Sequence, residues 1–441
     1  MEVLQDTYKD TKIGRIPKDW RVLKFRDIFN FIITSSHSKN EMVYSETDTE
    51  IYNVHYGAIH TTYKEQILDF EKYDIPRITD DSKLPREDQF LIDGDLVIVD
   101  ASEDWGGMGE CVELKNLEGR KVIGGLHTYA VRDKINAFAK GFTGYIFQNT
   151  AVRNKLASYA NVSKVYGITK GNISNVPIVI PTLPEQQKIA DILSTVDEQI
   201  STTDKIIEKS KELKKGLMQK LFSEGIGHTE FKDTKVGRIP KDWQVIQLGE
   251  LCEVITKGTT PTTNGFPYLK TGINFVKVES INAFGRFIKE KFAFVGEDCY
   301  KSFKRSQLKE GDILISIAGA LGRTAIVTEN ILPANTNQAV GILRLKDKSL
   351  NNFIRYFLDS YSLQKFIERI NVASAQANLN LGHLNKFNIP FPAINEQQKI
   401  VAILSEADAK IEKEQEQKTK LEQLKKGLMQ QLLTGKKRVK V

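Results

Sequence analysis

The sequence is short of the features that secreted, membrane-spanning and metal-binding proteins usually show. Its three cysteines, Cys111, Cys252 and Cys299, are widely spaced, so neither a CxxC pair nor a disulfide framework is indicated. Its longest apolar runs, such as Leu96–Val99 and Ile313–Ile317, are far shorter than the roughly 20 residues that cross a bilayer. The first residues, MEVLQDTYKD, contain no apolar core of the kind that a secretory signal needs. These absences predict a soluble, cytoplasmic protein whose cysteines are free thiols.

Recognisable catalytic motifs are also missing. The sequence contains neither the G-x-x-x-x-G-K-S/T loop that cradles a triphosphate nor a G-x-G-x-x-G dinucleotide motif. It has no Asn/Asp-Pro-Pro-aromatic run of the kind with which adenine methyltransferases hold their target base. His55 and His60 lie five residues apart, but the histidines are otherwise dispersed and we expect no metal site. The chain is therefore predicted to have no catalytic site and no cofactor of its own.

The charge balance is compatible with a polyanionic partner. Lysine and arginine number 63 against 56 aspartates and glutamates, which gives a formal net charge of +7. Many proteins of this size carry such a surplus for unrelated reasons, so the charge suits nucleic-acid binding without establishing it.

The chain contains two segments twice. Residues 9–20 read KDTKIGRIPKDW and residues 232–243 read KDTKVGRIPKDW, an offset of 223 residues (232 − 9). EQQKI recurs at Glu185 and Glu396, and LKKGLMQ recurs further along each copy, both at an offset of 211 residues (396 − 185). The stretches between these repeats share only scattered features, such as Gly-Asp at 94–95 and at 311–312. Matched segments that alternate with divergent ones indicate a repeated scaffold carrying two different recognition surfaces.

The later repeated segments are predicted to be long helices. Pro184-Glu185 and Asn395-Glu396 are typical helix starts, because proline, asparagine and acids suit the first turn. Apolar residues then recur at spacings of three and four, the seam of a coiled coil. Each helix of some 38 residues would be roughly 57 Å long. The polar middle of each helix is either a solvated face or a docking face for a partner. Gly216 and Gly427 mark a kink, a close backbone approach or merely a tolerated residue.

The divergent stretches are predicted to be mixed α/β (α+β) domains, two in tandem. Short apolar runs indicate buried strands, and apolar residues on one side indicate amphipathic helices. The predicted strands are Asp95–Val99, Tyr129–Arg132, Asp312–Ala318 and Ala339–Leu345, and the predicted helices are Ala137–Tyr159 and Leu350–Ile370.

With these repeats, essentially the whole chain resembles the specificity subunit of a type I restriction–modification system. The resemblance is carried by the two GRIPKDW segments, by the helix starts Pro181–Ile189 and Pro392–Ile400, and by the two LKKGLMQ helix ends. It implies two target-recognition domains, each reading one half of a bipartite DNA site. It also implies that the two helices pack antiparallel, set the gap and dock two modification subunits. Those partners carry S-adenosylmethionine and methylate adenine, while a separate ATP-driven restriction subunit cleaves DNA.

The resemblance and the repeats together predict a domain organisation. The matched starts and ends imply a pseudo-two-fold relation, in which residues 1–20 serve the second domain as residues 224–243 serve the first. The predicted parts are an N-terminal repeat segment (1–20), a first target-recognition domain (21–182), a first spacer helix (183–223), a linker and repeat segment (224–243), a second target-recognition domain (244–392), a second spacer helix (393–434) and a basic tail (435–441).

Candidate DNA contacts are polar and basic residues in loops, because phosphates and base edges are contacted by Lys, Arg, Asn, Gln, Ser and Thr. Any single residue could instead be an ordinary solvated loop residue. A DNA contact is therefore better supported for each cluster as a whole than for any one of its members. The basic tail Lys436–Lys440 either is disordered or contacts the DNA backbone. The candidates in the first domain are Ser35, Ser36, His37, Lys39, Tyr56, His60, Thr62, Lys64, Trp105, Lys164, Tyr166 and Lys170; those in the second are Lys257, Thr259, Thr260, Thr262, Thr263, Asn264, Arg323, Asn337, Gln338, Gln376 and Asn378.

Two alternatives remain open at the level of sequence. The chain could be a tandem scaffold whose divergent domains bind proteins or sugars, which predicts no salt-dependent DNA affinity. It could also be a DNA reader for a system in which methyltransferase and nuclease share one partner chain. Only the partner gene would distinguish that system from a type I system.

Overall fold

A computed structural model describes residues 7–44, 50–79, 84–102, 107–159, 161–162, 166–370 and 378–441. The chain divides into two compact units. Unit 1 contains Met1–Lys205 together with Glu416–Val441, and unit 2 contains Ile206–Gln415. The part of the chain that is described contains no helix with the length and apolar character that a membrane span requires.

The helices are mostly short, with two long exceptions. They are α1 (Phe25–Ile28), α2 (Tyr56–Thr61), α3 (Thr150–Ser158), α4 (Lys170–Ser174), α5 (Leu183–Ser223), α6 (Leu248–Leu251), α7 (Glu297–Ser302), α8 (Asn351–Leu358), α9 (Tyr361–Ile370), α10 (Leu381–Asn385) and α11 (Ile394–Leu432).

The strands of unit 1 form two main sheets and several short ladders. They are β1 (Tyr8–Thr11), β2 (Gly14–Pro17), β3 (Arg21–Lys24), β4 (Phe29–Ile32), β5 (Met42–Val43), β6 (Ile51–Val54), β7 (Ile67–Asp69), β8 (Arg77–Ile78), β9 (Leu96–Val99), β10 (Ala101–Ser102), β11 (Cys111–Lys115), β12 (Lys121–Gly124), β13 (Thr128–Asp133), β14 (Asn161–Val162), β15 (Tyr166–Gly167) and β16 (Pro177–Ile180). The larger sheet has the order β4-β13-β9-β11-β7, and the smaller has the order β12-β6-β8-β5.

The strands of unit 2 follow a related plan. They are β17 (Phe231–Thr234), β18 (Gly237–Pro240), β19 (Gln244–Gln247), β20 (Cys252–Lys257), β21 (Ile273–Val276), β22 (Ala293–Val295), β23 (Ile313–Ser316), β24 (Thr324–Ile326), β25 (Ala334–Thr336), β26 (Val340–Leu345) and β27 (Asn388–Phe391). The larger sheet has the order β20-β26-β23-β24. Its strands are antiparallel throughout, as are the corresponding strands β4-β13-β9-β11 of unit 1.

The two long helices are present where the apolar spacing predicts helices, and they comprise 41 residues in α5 and 39 in α11. Each helix contributes to both units. Unit 1 contains residues 183–205 of α5 and the end of α11 from residue 416, whereas unit 2 contains residues 206–223 of α5 and the start of α11. Within each unit, the first part of one long helix is therefore combined with the last part of the other.

A buried ion pair braces the larger sheet of each unit. The Arg132 guanidinium donates to both carboxylate oxygens of Asp95 at 2.8 and 2.7 Å, and Arg344 donates to both oxygens of Asp312 at 2.7 Å. Each aspartate is the second residue of the Gly-Asp step that is common to the two divergent stretches, and each is almost fully buried. Burial raises the pKa of the Asp95 carboxyl, and its bonds to Arg132 oppose that shift.

Two predicted helices are wrong in extent. Residues 143–148 form a 3-10 turn, and α3 begins only at Thr150, because the Asn149 side chain accepts from the backbone N–H groups of Ala151 and Val152 and starts a new helix. The helix predicted at 350–370 is divided into α8 and α9. The Ser360 hydroxyl donates to the Phe357 carbonyl and so ends the first of them.

The repeat segment before each domain packs on the helix start of its own unit. The Trp20 indole N–H donates to Glu185 at 2.8 Å, and that of Trp243 donates to Glu396 at 3.0 Å. Because Trp20 lies in unit 1 with the first domain, the prediction that residues 1–20 serve the second domain is wrong. Each tryptophan indole binds the glutamate of its own repeat copy. The spacing in the sequence does not show which of the two long helices each tryptophan contacts.

Asp359 gives unit 2 an expected pH dependence. Burial raises the pKa of this carboxyl to about 6, although Arg355 and a hydrogen bond from Thr324 oppose the shift. The folded chain therefore keeps the proton at a pH where the unfolded chain has lost it. The free energy of unfolding is expected to fall as pH rises from about 4 to about 6, by at most about 3 kcal/mol from this group.

Chemical denaturation at pH 4.5, 5.5 and 6.5 measures this effect as the difference between the wild type and D359N. An exposed carboxyl of the same unit provides the control variant, D298N. A wild-type stability that rises with pH relative to D359N would contradict the prediction.

Candidate nucleic-acid interface

The loops of unit 2 that contain the candidate contacts leave its larger sheet at one end. Strand β20 ends where β26 begins, with Lys257 opposite Gly341, and β23 ends at the same level, with Ser316 opposite Val340. Strand β24 begins there too, because Thr324 pairs with Ile315. We define the loop end of unit 2 as residues 257–264, 303–307, 317–323, 335–339 and 378.

Backbone hydrogen bonds join two of these loops tightly. The Gly258 N–H donates to the Val340 carbonyl at 3.1 Å, and the Thr259 N–H donates to the Thr336 carbonyl at 3.0 Å. A Cβ atom at position 258 would lie 2.1 Å from the Thr336 oxygen and 2.3 Å from the Asn337 oxygen. Glycine is therefore required at this position, and the loop that follows is fixed at its base.

The predicted residues of this loop differ in exposure. Thr262, Thr263 and Asn264 are exposed in a 3-10 turn, whereas Thr259 and Thr260 are half-buried. The Asn264 amide donates to the Thr260 carbonyl at 3.0 Å, which fixes the shape of the turn and leaves its Oδ1 atom outside that contact. Three short polar side chains thus stand together at the outer edge of the loop end.

The other predicted residues of unit 2 lie on neighbouring loops. Arg323 is exposed, and its guanidinium donates to the Ile281 carbonyl at 3.3 Å. Asn337 accepts from the Ala339 N–H at 3.2 Å, so its carbonyl oxygen shapes its own turn, while Gln338 is exposed. Asn378 is exposed and is held beside β23, because the Leu379 N–H donates to the Ile317 carbonyl at 3.1 Å. Gln376 lies outside the described residues.

Arg305 belongs to this loop end and was missed by the sequence reasoning. Its exposed guanidinium donates to the Thr259 hydroxyl at 3.2 Å. Its loop is attached to β25, since Gln307 pairs with Asn335, which is itself fully buried. The basic cluster KSFKRS around it was the available signal.

In unit 1 the corresponding strands also end together. Ile32 at the end of β4 lies opposite Ala130, and Val99 at the end of β9 lies opposite Thr128. Cys111 at the start of β11 pairs with Ile98. We define the loop end of unit 1 as residues 33–39, 55–60, 100–102, 107–110 and 125–128.

The first predicted cluster of unit 1 is only partly on the surface. Ser35 and His37 are buried, their side chains bond to one another, and the Ser35 N–H donates to the Gly124 carbonyl at 2.7 Å. Ser36 and Lys39 are exposed. The buried pair therefore shapes the loop, and Ser36 and Lys39 are the members that face solvent.

Three histidines surround Tyr56 at this loop end, although they are dispersed in sequence. The rings of His55, His127 and His60 lie 4.5, 5.4 and 6.2 Å from the Tyr56 ring, measured between centroids. His60 is paired with Glu110 at 2.7 Å. Burial, followed by the charges of His127 and Lys39, lowers the pKa of His55. Among the described residues, no group of histidines, cysteines and acids is arranged to hold a metal ion.

The remaining candidates of unit 1 are more scattered. Tyr166 lies on β15, which pairs with β10 beside the loop end, and the ammonium group of exposed Lys170 lies 4.3 Å from the centre of the Phe31 ring. Thr62 is exposed just after α2. Lys64 is directed elsewhere, because its ammonium group contacts Asp204 of α5 at 3.2 Å. Trp105 and Lys164 lie outside the described residues.

Both units thus present hydroxyls and cations from loops at one end of four antiparallel strands, together with imidazoles in unit 1 and side-chain amides in unit 2. Such an arrangement suits recognition of a polar or anionic surface. The profile of the family described as Type I restriction modification DNA specificity domain matches residues 17–212 and again residues 240–423, and the chain belongs to this family. Its role is that of a non-catalytic subunit that determines DNA sequence specificity in a restriction–modification system. This assignment excludes the alternative that the chain is a scaffold whose domains bind proteins or sugars.

Curated relatives support the same assignment. The chain is 27% identical to the type I restriction enzyme MjaVIII specificity subunit of Methanocaldococcus jannaschii, over 99% of this chain and 97% of that protein. It is 28% identical to the putative MjaX specificity subunit of the same organism, over 99% and 98%. The EcoBI specificity subunit of Escherichia coli is 26% identical over 55% of this chain and 54% of that protein.

Solved structures show the same fold at low sequence identity. The S subunit of a type I restriction–modification system from M. genitalium superposes with a TM-score of 0.52 and 14% identity, over 94% of this chain and 96% of that chain. A chain from work on complex assembly and conformational transition of the type I R-M system gives a TM-score of 0.56 and 16% identity, over 95% and 99%.

Proposed function

We propose that the two loop ends read the two halves of one bipartite DNA site. The observation that carries this proposal is that β4-β13-β9-β11 and β20-β26-β23-β24 have the same order and direction, yet deliver unrelated loop sequences from the same end. A shared frame with different loops suits two different half-sites. The recognition domains would be residues 21–182 and 244–392, flanked by the segments 1–20 and 224–243 and by the basic tail 435–441.

Within this proposal the exposed loop residues divide by chemistry. Lysine and arginine side chains would neutralise phosphates, while Ser36, Gln338 and the turn at 262–264 would reach base edges. Ser35, His37 and Thr260 would act indirectly by holding loops in shape. Trp105, Lys164 and Gln376 remain candidates on sequence grounds alone.

The long helices would fix the distance between the half-sites. We infer that α5 and α11 pack antiparallel as a coiled-coil pair with pseudo-two-fold symmetry, with spacer residues 183–223 and 393–434. Two major-groove segments on one face of a duplex are separated by about 34 Å per helical turn. A helix of 41 residues is roughly 60 Å long and stiff enough to hold such a spacing.

The matched helix ends would also dock two identical modification subunits. Leu213 and Leu424 occupy equivalent positions in the LKKGLMQ repeats and are 61% and 50% exposed. A Cβ atom added at the glycine three residues further on, Gly216 or Gly427, would meet no other atom within 4 Å, so neither glycine is required by a close approach within this chain. Each copy thus offers a leucine beside a bare stretch of helix, which another helix could approach closely. S-adenosylmethionine, ATP and the restriction subunits would all belong to partners, in the cytoplasm with the DNA.

Placing a charge in this patch is expected to weaken docking. L213D and L424D should each lower the methylation rate of the assembled complex, because burying an unpaired carboxylate in an apolar contact is unfavourable. Pull-down of the modification subunit by each variant provides the measurement. K215Q lowers the net charge by the same amount at an exposed position that shares a face with neither Leu213 nor Gly216, and it should bind normally. Equal loss in K215Q would argue against the patch.

The proposed function is tested by mapping adenine methylation across the genome with this gene intact and deleted. Loss of one bipartite motif on deletion is expected. Replacing residues 244–391 by the corresponding domain of another specificity subunit should then change one half of that motif and preserve the other. A change in both halves would contradict separate reading by two domains.

A further inference from the structure

Two buried tyrosines make the same contact in the two units. The Tyr145 hydroxyl donates to Asp197 at 2.7 Å, and the Tyr356 hydroxyl donates to Asp408 at 2.9 Å. The tyrosines are separated by 211 residues (356 − 145), and so are the aspartates (408 − 197). This is also the offset of the EQQKI and LKKGLMQ repeats, so each tyrosine is in register with the helical scaffold.

The sequence around the tyrosines makes this match informative. Residues 143–148 read TGYIFQ and residues 354–359 read IRYFLD, and these share only the tyrosine. The local structure differs as well, since Tyr145 lies in a 3-10 turn and Tyr356 lies in α8. Two domains that differ in sequence and in local backbone therefore present one identical group to the helix beneath them.

Each aspartate also binds a lysine from the other long helix. Lys425 of α11 lies 2.5 Å from Asp197 of α5, and Lys214 of α5 lies 2.5 Å from Asp408 of α11. In each case the lysine contacts one carboxylate oxygen and the tyrosine contacts the other. One carboxylate thus joins three elements, namely the recognition domain and a segment of each helix.

Burial makes these contacts directional and strong. The side chains of Asp197 and Lys425 are 5% and 13% exposed, and those of Asp408 and Lys214 are 8% and 14% exposed. Burial, followed by the adjacent aspartate, raises the pKa of both tyrosines, so each hydroxyl remains a proton donor throughout the physiological range. A hydrogen bond to a buried charged group is among the strongest that proteins form.

We propose that these two Tyr–Asp–Lys triads are positioning devices that fix the angle of each recognition domain on the helices and thereby the gap length that the subunit accepts. This inference rests on the proposed reading of a bipartite site. Each triad joins a recognition domain to the two helices, so a rotation of the domain at the triad also displaces its loop end. Apolar packing of the domain on Ile189 and Leu193 in unit 1, or on Ile400 and Leu404 in unit 2, is less directional and holds the domain without setting its angle.

The test uses Y145F and Y356F in the complete methylating complex. The substrates are duplexes with both half-sites separated by the native gap or by a gap one or two base pairs longer or shorter. Each variant is expected to methylate native-gap DNA nearly normally but to lose about tenfold of the discrimination against altered gaps. Base preference within each half-site should stay unchanged. K425Q and K214Q disturb the same carboxylates from the other side and should broaden the gap profile in the same way.

Y63F is the matched control. Tyr63 is also buried in unit 1, and its hydroxyl has no hydrogen-bond partner within the described residues, so its removal should leave the gap profile unchanged. If the wild type recognises a bipartite site and all four triad variants keep its gap profile, the inference about the triads is overturned but the proposed function stands. A wild-type complex that methylates a single contiguous motif overturns the proposed function as well. Thermal melting of each variant shows that the compared proteins are folded.

Discussion

Replacing Lys257, Arg305 and Arg323 together by alanine is expected to reduce the DNA affinity of the assembled complex by about a hundredfold at 0.15 M salt. All three cations lie at the loop end of unit 2, and the two arginines are exposed. Each phosphate contact contributes about 0.9 to the slope of log affinity against log salt, so three lost contacts should lower that slope by about 2.7. Titration of labelled duplex at several salt concentrations gives both quantities.

A charge-matched control tests whether position or net charge is responsible. Lys309, Lys346 and Lys348 are exposed lysines of the same unit that lie at the opposite end of the larger sheet. Their combined replacement by alanine removes the same charge and should change affinity only a few-fold through the long-range field. Equal losses in the two triple variants would mean that the loop end is not the surface that contacts DNA.

Substitution of Asp312 by alanine is expected to destabilise unit 2 by about 3–5 kcal/mol. It would leave the Arg344 guanidinium without its bidentate partner, and it would also remove the acceptor for the Lys309 N–H at 2.8 Å. Asp312 is fully buried, so water cannot replace the lost contacts without opening the sheet. Urea denaturation of the purified subunit or complex measures the loss.

A double replacement tests whether the loss of stability comes from leaving one buried charge without its partner. D312L combined with R344M removes both charges and should recover much of the stability, because an apolar pair of similar volume often replaces a buried ion pair without loss. Any of these variants that remains folded should keep the wild-type base preference, since the pair lies at the end of the sheet remote from the loops. A changed half-site preference would mean that the pair shapes the reading surface.

The long helices could be predicted from sequence because their signal is local and sustained. Apolar spacing over about ten turns, a proline or asparagine at the start and a repeated copy all agree. The helix break at Ser360 depends on one hydroxyl that bonds to a nearby carbonyl, and hydropathy patterning does not register such a bond. The same is true of Asn149, whose capping role turned one expected helix into a 3-10 turn and a shorter helix.

The composition of the loop ends could be predicted only in part. Short, polar, glycine-rich loops indicated where the candidate DNA contacts lie, but the exposure of each side chain depends on contacts between segments that are distant in sequence. Ser35 and His37 are buried, with Ser35 bonded to Gly124 across 89 residues (124 − 35), and Arg305 reaches Thr259 across 46 residues. His55 and Tyr56 follow β6, whereas His127 lies just beyond β12 and far away in sequence, so they meet through the parallel pairing of β6 with β12.

The division of the chain also determines the order in which a ribosome can complete the two units. Unit 2 is one continuous stretch, whereas unit 1 needs residues from both sides of it. Leu432 and Leu433 belong to the core of unit 1, and the Asn149 amide donates to the Leu433 carbonyl across 284 residues. The nascent first domain must therefore wait, with part of its apolar surface uncovered, until all of unit 2 has been synthesised. The domain that is translated first should be the last to mature, and it is the one most exposed to chaperones and proteases on the way.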